Sequence, residues 1–121
     1  MKALIVVGVL LGAAVLVGPV QAAELDISKC VFPSAPAVPD GSTASEEEMI
    51  TASGAVKAYV AENDKGLACL EASRQALGEE PMTEEQTTSF TNAYNSAVDA
   101  AHQVGNSWNE AVRAYKAKNP G

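Results

Sequence analysis

The sequence is short of the residues that carry out chemistry or bind nucleic acid. It has one histidine, two cysteines and one tryptophan among 121 residues, and 8 Lys and Arg against 15 Asp and Glu. A metal site usually takes three or four His, Cys or carboxylate ligands at short spacings, and no such motif is present. Nucleic acid needs a basic surface, which a formal charge of −7 does not provide. We therefore predict no catalytic residue, no metal, no cofactor and no nucleic-acid partner.

The one long apolar run lies at the N-terminus and has the features of a secretory signal peptide. Met1-Lys2 carries positive charge, and Ala3–Gly18 contains no polar side chain. Val20-Gln21-Ala22 is a small-x-small cleavage site. We predict a signal peptide over 1–22 cleaved after Ala22, a periplasmic or secreted product, and no stable membrane insertion after cleavage. An uncleaved anchor is the alternative, because about 18 apolar residues reach the short limit for a spanning helix.

Two cysteines, Cys30 and Cys69, remain after that cleavage. An even number of cysteines in a small exported domain is typical of a disulfide framework, and two cysteines allow one pairing. Closing a loop of roughly 39 residues is worth about 4 kcal/mol in the chain-entropy model. The Cys-x-x-Cys spacing of redox-active pairs is absent. The sequence therefore predicts a structural disulfide between these two residues.

Residues 23–44 have the composition of an extended, Pro-rich strap. Prolines recur at the three-residue repeat of polyproline II, at Pro33, Pro36 and Pro39. Pro39-Asp40-Gly41 is a turn signal, because it combines a fixed φ, a capping side chain and a permissive glycine. A turn there lets the strap lie back along the helices until the two cysteines meet. We expect Val31 and Phe32 to cover the seam between the helices.

Ser45 and Glu48 form a capping box that starts the first helix, predicted over 45–77. Apolar residues then recur at helical spacing and give this helix one buried face. They are Met49, Ala52, Val56, Tyr59, Val60, Leu67, Leu70 and Leu77. Asn63–Gly66 interrupts the stripe, and glycine costs about 1 kcal/mol relative to alanine inside a helix. The sequence leaves open whether the helix continues through that segment.

A second capping box, at Thr83 and Gln86, starts a helix predicted over 83–117, after a turn at 78–82. Its apolar stripe alternates steps of four and three residues, as coiled-coil helices do. The aromatic members of this packing stripe are Phe90, Tyr94, Trp108 and Tyr115. The predicted fold class is all-α: an antiparallel two-helix hairpin with an extended Pro-rich N-terminal strap and one disulfide.

Folding the second helix back on the first sets a register between them. Tyr59 then lies opposite Ala101, and Trp108 lies opposite Ala52, so large residues meet small ones, as close packing requires. A hairpin buries only one face of each helix, so either the strap covers the groove or two hairpins pair into a four-helix bundle. We expect an equilibrium between the monomeric hairpin and a homodimer.

Residues 30–70 also carry a set of short motifs. They are Cys30-x-x-Pro33, Pro39-Asp40-Gly41, Glu48-Met49, Val56-Lys57-x-Tyr59 and Cys69-Leu70. As a set these motifs resemble a family of small uncharacterised exported (periplasmic) proteins of Gram-negative bacteria. The resemblance implies export and the pairing of the two cysteines, and it implies no functional residue.

Together these features favour a non-enzymatic protein. We expect a periplasmic structural or protein-interaction protein whose partner is another envelope protein. The alternative is a periplasmic stress chaperone or a small-ligand binder that uses the aromatic stripe between the helices. An exposed apolar groove would favour this alternative, whereas a sealed hairpin would favour interaction through the acidic outer surface.

Overall fold

A computed structural model describes residues 25–121, which contain two long helices and no strand. Helix α1 spans Glu46–Gln75 and helix α2 spans Glu84–Lys118. The two helices pack against each other in opposite directions and form an all-α hairpin. The predicted fold class is confirmed. The predicted signal peptide and its cleavage site, at 1–22, lie outside the described residues.

Both helices start at the capping residues that the sequence indicates. The Ser45 hydroxyl accepts a 3.1 Å hydrogen bond from the Glu48 amide, which is one half of the predicted capping box; the return bond to the Glu48 side chain is not formed. Thr83 and Gln86 form a full capping box: the Gln86 amide donates to the Thr83 hydroxyl at 3.1 Å, and the Thr83 amide donates to the Gln86 side chain at 2.9 Å. Amides of a first turn have no partner within their helix, so these bonds fix where each helix begins.

The C-terminal ends of the helices differ slightly from the prediction. Helix α1, predicted over 45–77, ends at Gln75, because the chain turns at residues 76–78. Gly78 has a φ of 67° in this turn, a conformation that glycine adopts without steric strain. Helix α2, predicted over 83–117, extends to Lys118. The connection remains short enough for the helices to run antiparallel.

Helix α1 is continuous through Asn63–Gly66, the segment that the sequence left open. Gly66 is buried beneath the Phe32 ring of the strap, and a Cβ at this position would lie 2.5 Å from that ring. The Asn63 side chain donates a 3.3 Å hydrogen bond to the carbonyl oxygen of Ala97 in α2. Both residues have poor helix propensity, but each makes a contact outside α1 that depends on the helical conformation.

The core centres on one cluster of buried and half-buried apolar residues. They are Val56 and Tyr59 from α1, Val104, Ala101 and Trp108 from α2, and Val38 from the strap. The hydrogen bond from Asn63 to Ala97 agrees with the predicted register, which places Tyr59 opposite Ala101. Trp108 packs on the same cluster.

The row of α2 that faces α1 most directly consists of small residues. Ala97, Val104 and Ala111 are buried at seven-residue spacing. The aromatic residues of the predicted stripe are half-buried beside this row: Phe90, Tyr94, Trp108 and Tyr115. Small side chains on α2 let larger side chains of α1 insert between them. The aromatic residues of the predicted packing stripe therefore line the edge of the helix contact.

The strap, residues 25–44, lies along one side of the hairpin as a third layer. At its start, the Asp26 carbonyl oxygen accepts a 3.1 Å hydrogen bond from the Ser73 hydroxyl of α1. Cys30 and Cys69 are joined by a disulfide, with their Cα atoms 5.5 Å apart. The predicted pairing is therefore present, and it ties the strap to α1.

The prediction that Val31 and Phe32 both cover the seam is half right. Phe32 is half-buried and lies on Gly66. Val31 is 79% exposed, so the prediction is wrong for this residue. Successive side chains of an extended segment point in opposite directions. Because Cys30 and Phe32 are both turned toward α1, the intervening Val31 points to solvent.

The other end of the strap is held by the predicted turn. The Asp40 carboxylate accepts hydrogen bonds from the Ser42 amide at 2.9 Å and from the Ser42 hydroxyl at 2.6 Å. Gly41 is buried against α2, where a Cβ would overlap the carbonyl oxygen of Ala111. Space therefore requires glycine at this position. The strap thus passes from α1, at the disulfide, to α2, at Gly41.

Candidate functional site

The strap covers one side of the hairpin, and the opposite side is uncovered. The strap meets α1 at Gly66 and Cys69 and meets α2 at Ala111. Successive helical residues lie about 100° apart around the helix axis. The side of each helix away from the strap is therefore formed by a different row of residues from the row that the strap contacts. We call this uncovered side the open face. Its residues are Ser53, Val60 and Leu67 in α1, and Tyr94, Val98, Ala101, Gly105, Trp108 and Val112 in α2.

The open face is apolar but not sealed. Val60 is 43% exposed, and Ile50 at the edge of the face is 65% exposed. The other members of the face are half-buried, whereas the residues between the helices are buried. A contiguous apolar surface that remains accessible in a folded protein marks a docking surface or a ligand groove.

Two aromatic residues of the predicted stripe stack at the turn end of α2. The Phe90 and Tyr94 rings lie 6.1 Å apart with 20° between their planes. The Arg74 guanidinium lies 5.9 Å from the Phe90 ring centroid and also pairs with Glu71 at 2.8 Å. Stacking and cation–π contacts of this kind hold the rings in one orientation.

Trp108 and Tyr115 occupy the other half of α2. Trp108 packs on the core cluster but keeps part of its surface exposed, and Tyr115 is also half-buried. Trp108 follows Tyr94 by about 20 Å along the helix, at 1.5 Å per residue. The structure therefore separates the four aromatic residues of the stripe into two groups and does not gather them around a single pocket.

Two grooves follow the strap near Pro36 and Pro39, one on each side of it. The larger, of about 660 Å³, lies against α2, and the smaller, of about 510 Å³, lies against α1. Small and polar side chains form their helix walls, including Ala111 and Glu110 in the first and Ala52 and Glu48 in the second. Small-molecule sites are usually enclosed by larger apolar and aromatic side chains. The grooves are therefore weaker candidates than the open face.

The titratable groups with shifted pKa values have local structural causes. Hydrogen bonds from Ser42 hold the pKa of Asp40 below its ordinary value of 3.8. Hydrogen bonds from Ser28 lower the pKa of Asp26 in the same way. A 2.8 Å hydrogen bond to Glu62 raises the pKa of Lys65. All three shifts stabilise the charged form. A general acid or base at neutral pH needs the opposite shift, so these groups fit a structural role.

Other chemistry-bearing residues do not converge in the described part of the chain. Within residues 25–121, no three His, Cys, Asp or Glu side chains form a metal-binding group. Both cysteines are in the disulfide, and His102 and Asp99 are exposed on α2. Neither α1 nor α2 is long and apolar enough to cross a membrane. The described residues thus present the open face as their candidate site.

No protein-family model, no curated protein and no solved structure matches this chain. Among the described residues, the open face is the extended apolar surface that the strap leaves accessible.

The apolar pattern of the sequence did not distinguish the open face as a separate surface. It assigned Val60 and Leu67 to the buried stripe of α1, but Val60 is 43% exposed. The recurrence of Ser53, Val60 and Leu67 every seven residues is the signal that could have identified a second row. The contacts that bury Gly41 and Gly66 have no local sequence signal, because they depend on where the strap lies.

Proposed function

We propose that this chain is a non-enzymatic, periplasmic protein-interaction protein that docks a protein partner on its open face. The observation that supports it is an accessible apolar row, running along both helices, on a hairpin whose other side is covered by its own strap. Because the hairpin is sealed on the strap side only, the open face is a better docking surface than the acidic outer surface. Exposed charges by themselves contribute little binding energy.

The strap and the disulfide make the open face a pre-formed surface. The strap is bonded to α1 through Cys30 and packs on α2 at Gly41. It therefore holds the two helices together on the side opposite the open face. A surface that is already ordered loses less conformational entropy when a partner binds. The exposed side chains of Lys57, Asp64 and His102 stand beside the apolar row. An apolar centre with a polar rim is the usual anatomy of a protein–protein interface.

Two features support a periplasmic location. Disulfides form and persist in oxidising compartments, and the Cys30–Cys69 bond ties together two of the three layers of this fold. The N-terminal sequence has the charge, the apolar run and the small residues of a signal peptide. An envelope partner is consistent with both features.

Site-specific photocrosslinking in intact cells tests the proposal. A photoreactive phenylalanine analogue replaces Val98 on the open face, and the control replaces Ala35, which is exposed on the strap. We expect a discrete adduct with one protein from position 98 and none from position 35. Each variant is first shown to keep its helical circular dichroism and its disulfide. Adducts of equal yield from both positions, or none from position 98, would contradict the proposal.

A second candidate function is favoured by two observations: the accessible apolar row, which is the feature expected for this alternative, and the partial exposure of Trp108. A stress chaperone or small-ligand binder would use the same apolar row to hold unfolded chains or an apolar molecule. Trp108 is the single tryptophan of the chain, so its fluorescence reports on the open face. Under the interaction proposal, an apolar dye leaves the emission maximum unchanged. A saturable blue shift, with suppression of client aggregation, would favour the second candidate.

A further inference from the structure

We infer that the occupant of the open face is a second copy of this chain, and that two hairpins form an antiparallel four-helix bundle about a two-fold axis. The inference rests on the interaction role proposed above and names its partner. It is supported by the midpoints of the helices, by the match of large and small residues, and by two charged residues that belong to no ion pair among residues 25–121.

The first observation is that the midpoints of the two helices lie side by side along the hairpin. Val60 stands at the middle of Glu46–Gln75, and Ala101 stands at the middle of Glu84–Lys118. The hydrogen bond from Asn63 to Ala97 places these two midpoints side by side. A two-fold axis can run across the open face at this point, at right angles to the helices. This axis lays each helix antiparallel on the same helix of the second copy, with overlap along its full length.

The overlap provides enough area for a stable dimer. Helix α1 contains 30 residues, so the shared face is about 45 Å long at 1.5 Å per residue. Two helices packed at the usual 8–10 Å spacing give a face about 20 Å wide. The product is roughly 900 Å² per copy, and a standard interface buries about 800 Å² per partner.

The second observation is the complementarity of α2 with itself about this axis. Residues equally far from Ala101 on its two sides meet across the interface. Tyr94 then lies opposite Trp108 of the second copy, and Val98 lies within one residue of the position opposite Gly105. The aromatic pair meets at the edge of the apolar row, and a large residue meets the smallest one.

Gly105 makes no close contact within a single copy. A Cβ at this position would meet nothing within 4 Å, and the residue lies in the interior of α2. Glycine costs about 1 kcal/mol relative to alanine there. The close approach of Val98 from a second copy accounts for it, as the Phe32 ring accounts for Gly66.

The third observation is the complementarity of α1 with itself about the same axis. Val60 meets its own copy, and Ser53 lies opposite Leu67 of the second copy. Lys57 and Asp64 flank Val60 and are exposed. The axis places Lys57 opposite Asp64 of the second copy, and the reverse pair forms by symmetry. Neither residue belongs to an ion pair among residues 25–121.

A charge-swap series tests this pairing on the oxidised protein by sedimentation equilibrium. Wild type is expected to dimerise at micromolar concentration. Lys57→Asp and Asp64→Lys each replace two attractions with two repulsions, so each is expected to weaken the dimer about tenfold. The double variant restores the attraction and is expected to recover most of the affinity. Lys65→Asp is the matched control, because Lys65 lies off the open face and pairs with Glu62 of its own helix.

A cysteine pair tests the position of the axis. Val60→Cys places a thiol beside its own copy and is expected to form a covalent dimer under mild oxidation. Ala58→Cys is the control: residue 58 is exposed, two residues away and about 200° around α1. It is expected to form no covalent dimer. Equal rates of cross-linking for the two variants, or a double charge swap no tighter than its single variants, would overturn the inference.

The failure of this inference differs from the failure of the proposed function. If wild type is monomeric at millimolar concentration, and position 98 photocrosslinks to a different envelope protein, the dimer is wrong and the docking role stands. If position 98 gives no adduct of any mass, both are wrong. An adduct of twice the monomer mass, together with the charge-swap result, supports both.

Discussion

The strap-covered side and the open face each contain glycine, but the surroundings of these glycines differ. Gly41 and Gly66 lie against the backbone of α2 and the Phe32 ring, where a Cβ would have no room. A Cβ at Gly105, on the open face, would meet nothing within 4 Å. The strap side is therefore a packed interface completed within the chain. The open face has the same kind of surface but lacks the layer that would cover it.

The largest expected effect comes from breaking the anchor of the covered side. Replacing Cys30 and Cys69 together with serine removes the cross-link over a separation of 39 residues. We expect a loss of about 4 kcal/mol in the free energy of unfolding, because the unfolded chain regains the entropy of the open loop. Urea unfolding followed by circular dichroism measures the change.

The matched control for this variant is wild type after reduction, which should unfold at the same urea concentration as the double serine variant. A loss below about 1 kcal/mol would show that the strap side does not depend on its disulfide. The comparison between a clamped and an uncovered side would then be wrong.

The next largest effect is expected from filling the space at Gly41. Gly41→Ala forces a methyl group into the Ala111 carbonyl oxygen, and overpacking of this kind costs about 2 kcal/mol. Gly54→Ala is the control, because residue 54 is exposed in α1 and a Cβ there meets nothing within 4 Å. It should stabilise the helix by up to about 1 kcal/mol. Equal thermal midpoints for the two variants would contradict the tight contact of the strap with α2.

The features set by local chemistry could be predicted from the sequence. The caps at Ser45 and Thr83 and the turn at Asp40 depend on residues a few positions apart, and the structure places them as expected. The Cys30–Cys69 pairing was predictable because two cysteines allow one disulfide.

The features set by the third layer could not be predicted in the same way. Apolar spacing identifies a helix face, but it does not separate residues that face α2 from residues one flank away, such as Val60. Whether Val31 or Phe32 turns inward depends on which side of the strap meets α1. The open face becomes visible only when the position of the strap is known.

A smaller effect is expected at the polar contact in the centre of the helix pair. Asn63 is 3% exposed, and its amide donates to the Ala97 carbonyl oxygen. Asn63→Ala removes one buried hydrogen bond and some packing, and we expect a loss of about 1.5 kcal/mol. Asn95→Ala, at an exposed position of α2, is the control and should change stability little. If both variants unfold at the same urea concentration, the buried amide does not link the helices.

The smallest effect is expected from pH at the end of the strap. Hydrogen bonds from Ser42 hold the pKa of Asp40 below its unfolded value. Asp40 therefore stabilises the turn fully above that unfolded value, and the stabilisation is lost as pH falls through the folded value. The difference in thermal midpoint between wild type and Asp40→Asn should shrink as pH falls below about 4. A difference that stays constant with pH would contradict the role of the charged carboxylate.

The central claim is that the strap lies on one side of the hairpin and leaves the other side free. Nuclear Overhauser contacts of the Phe32 ring in the oxidised protein test it most directly. We predict strong contacts from this ring to the Gly66 α-protons and none to the methyl groups of Val98 or Val112. Contacts from Phe32 to those methyl groups would place the strap over the open face and contradict the account.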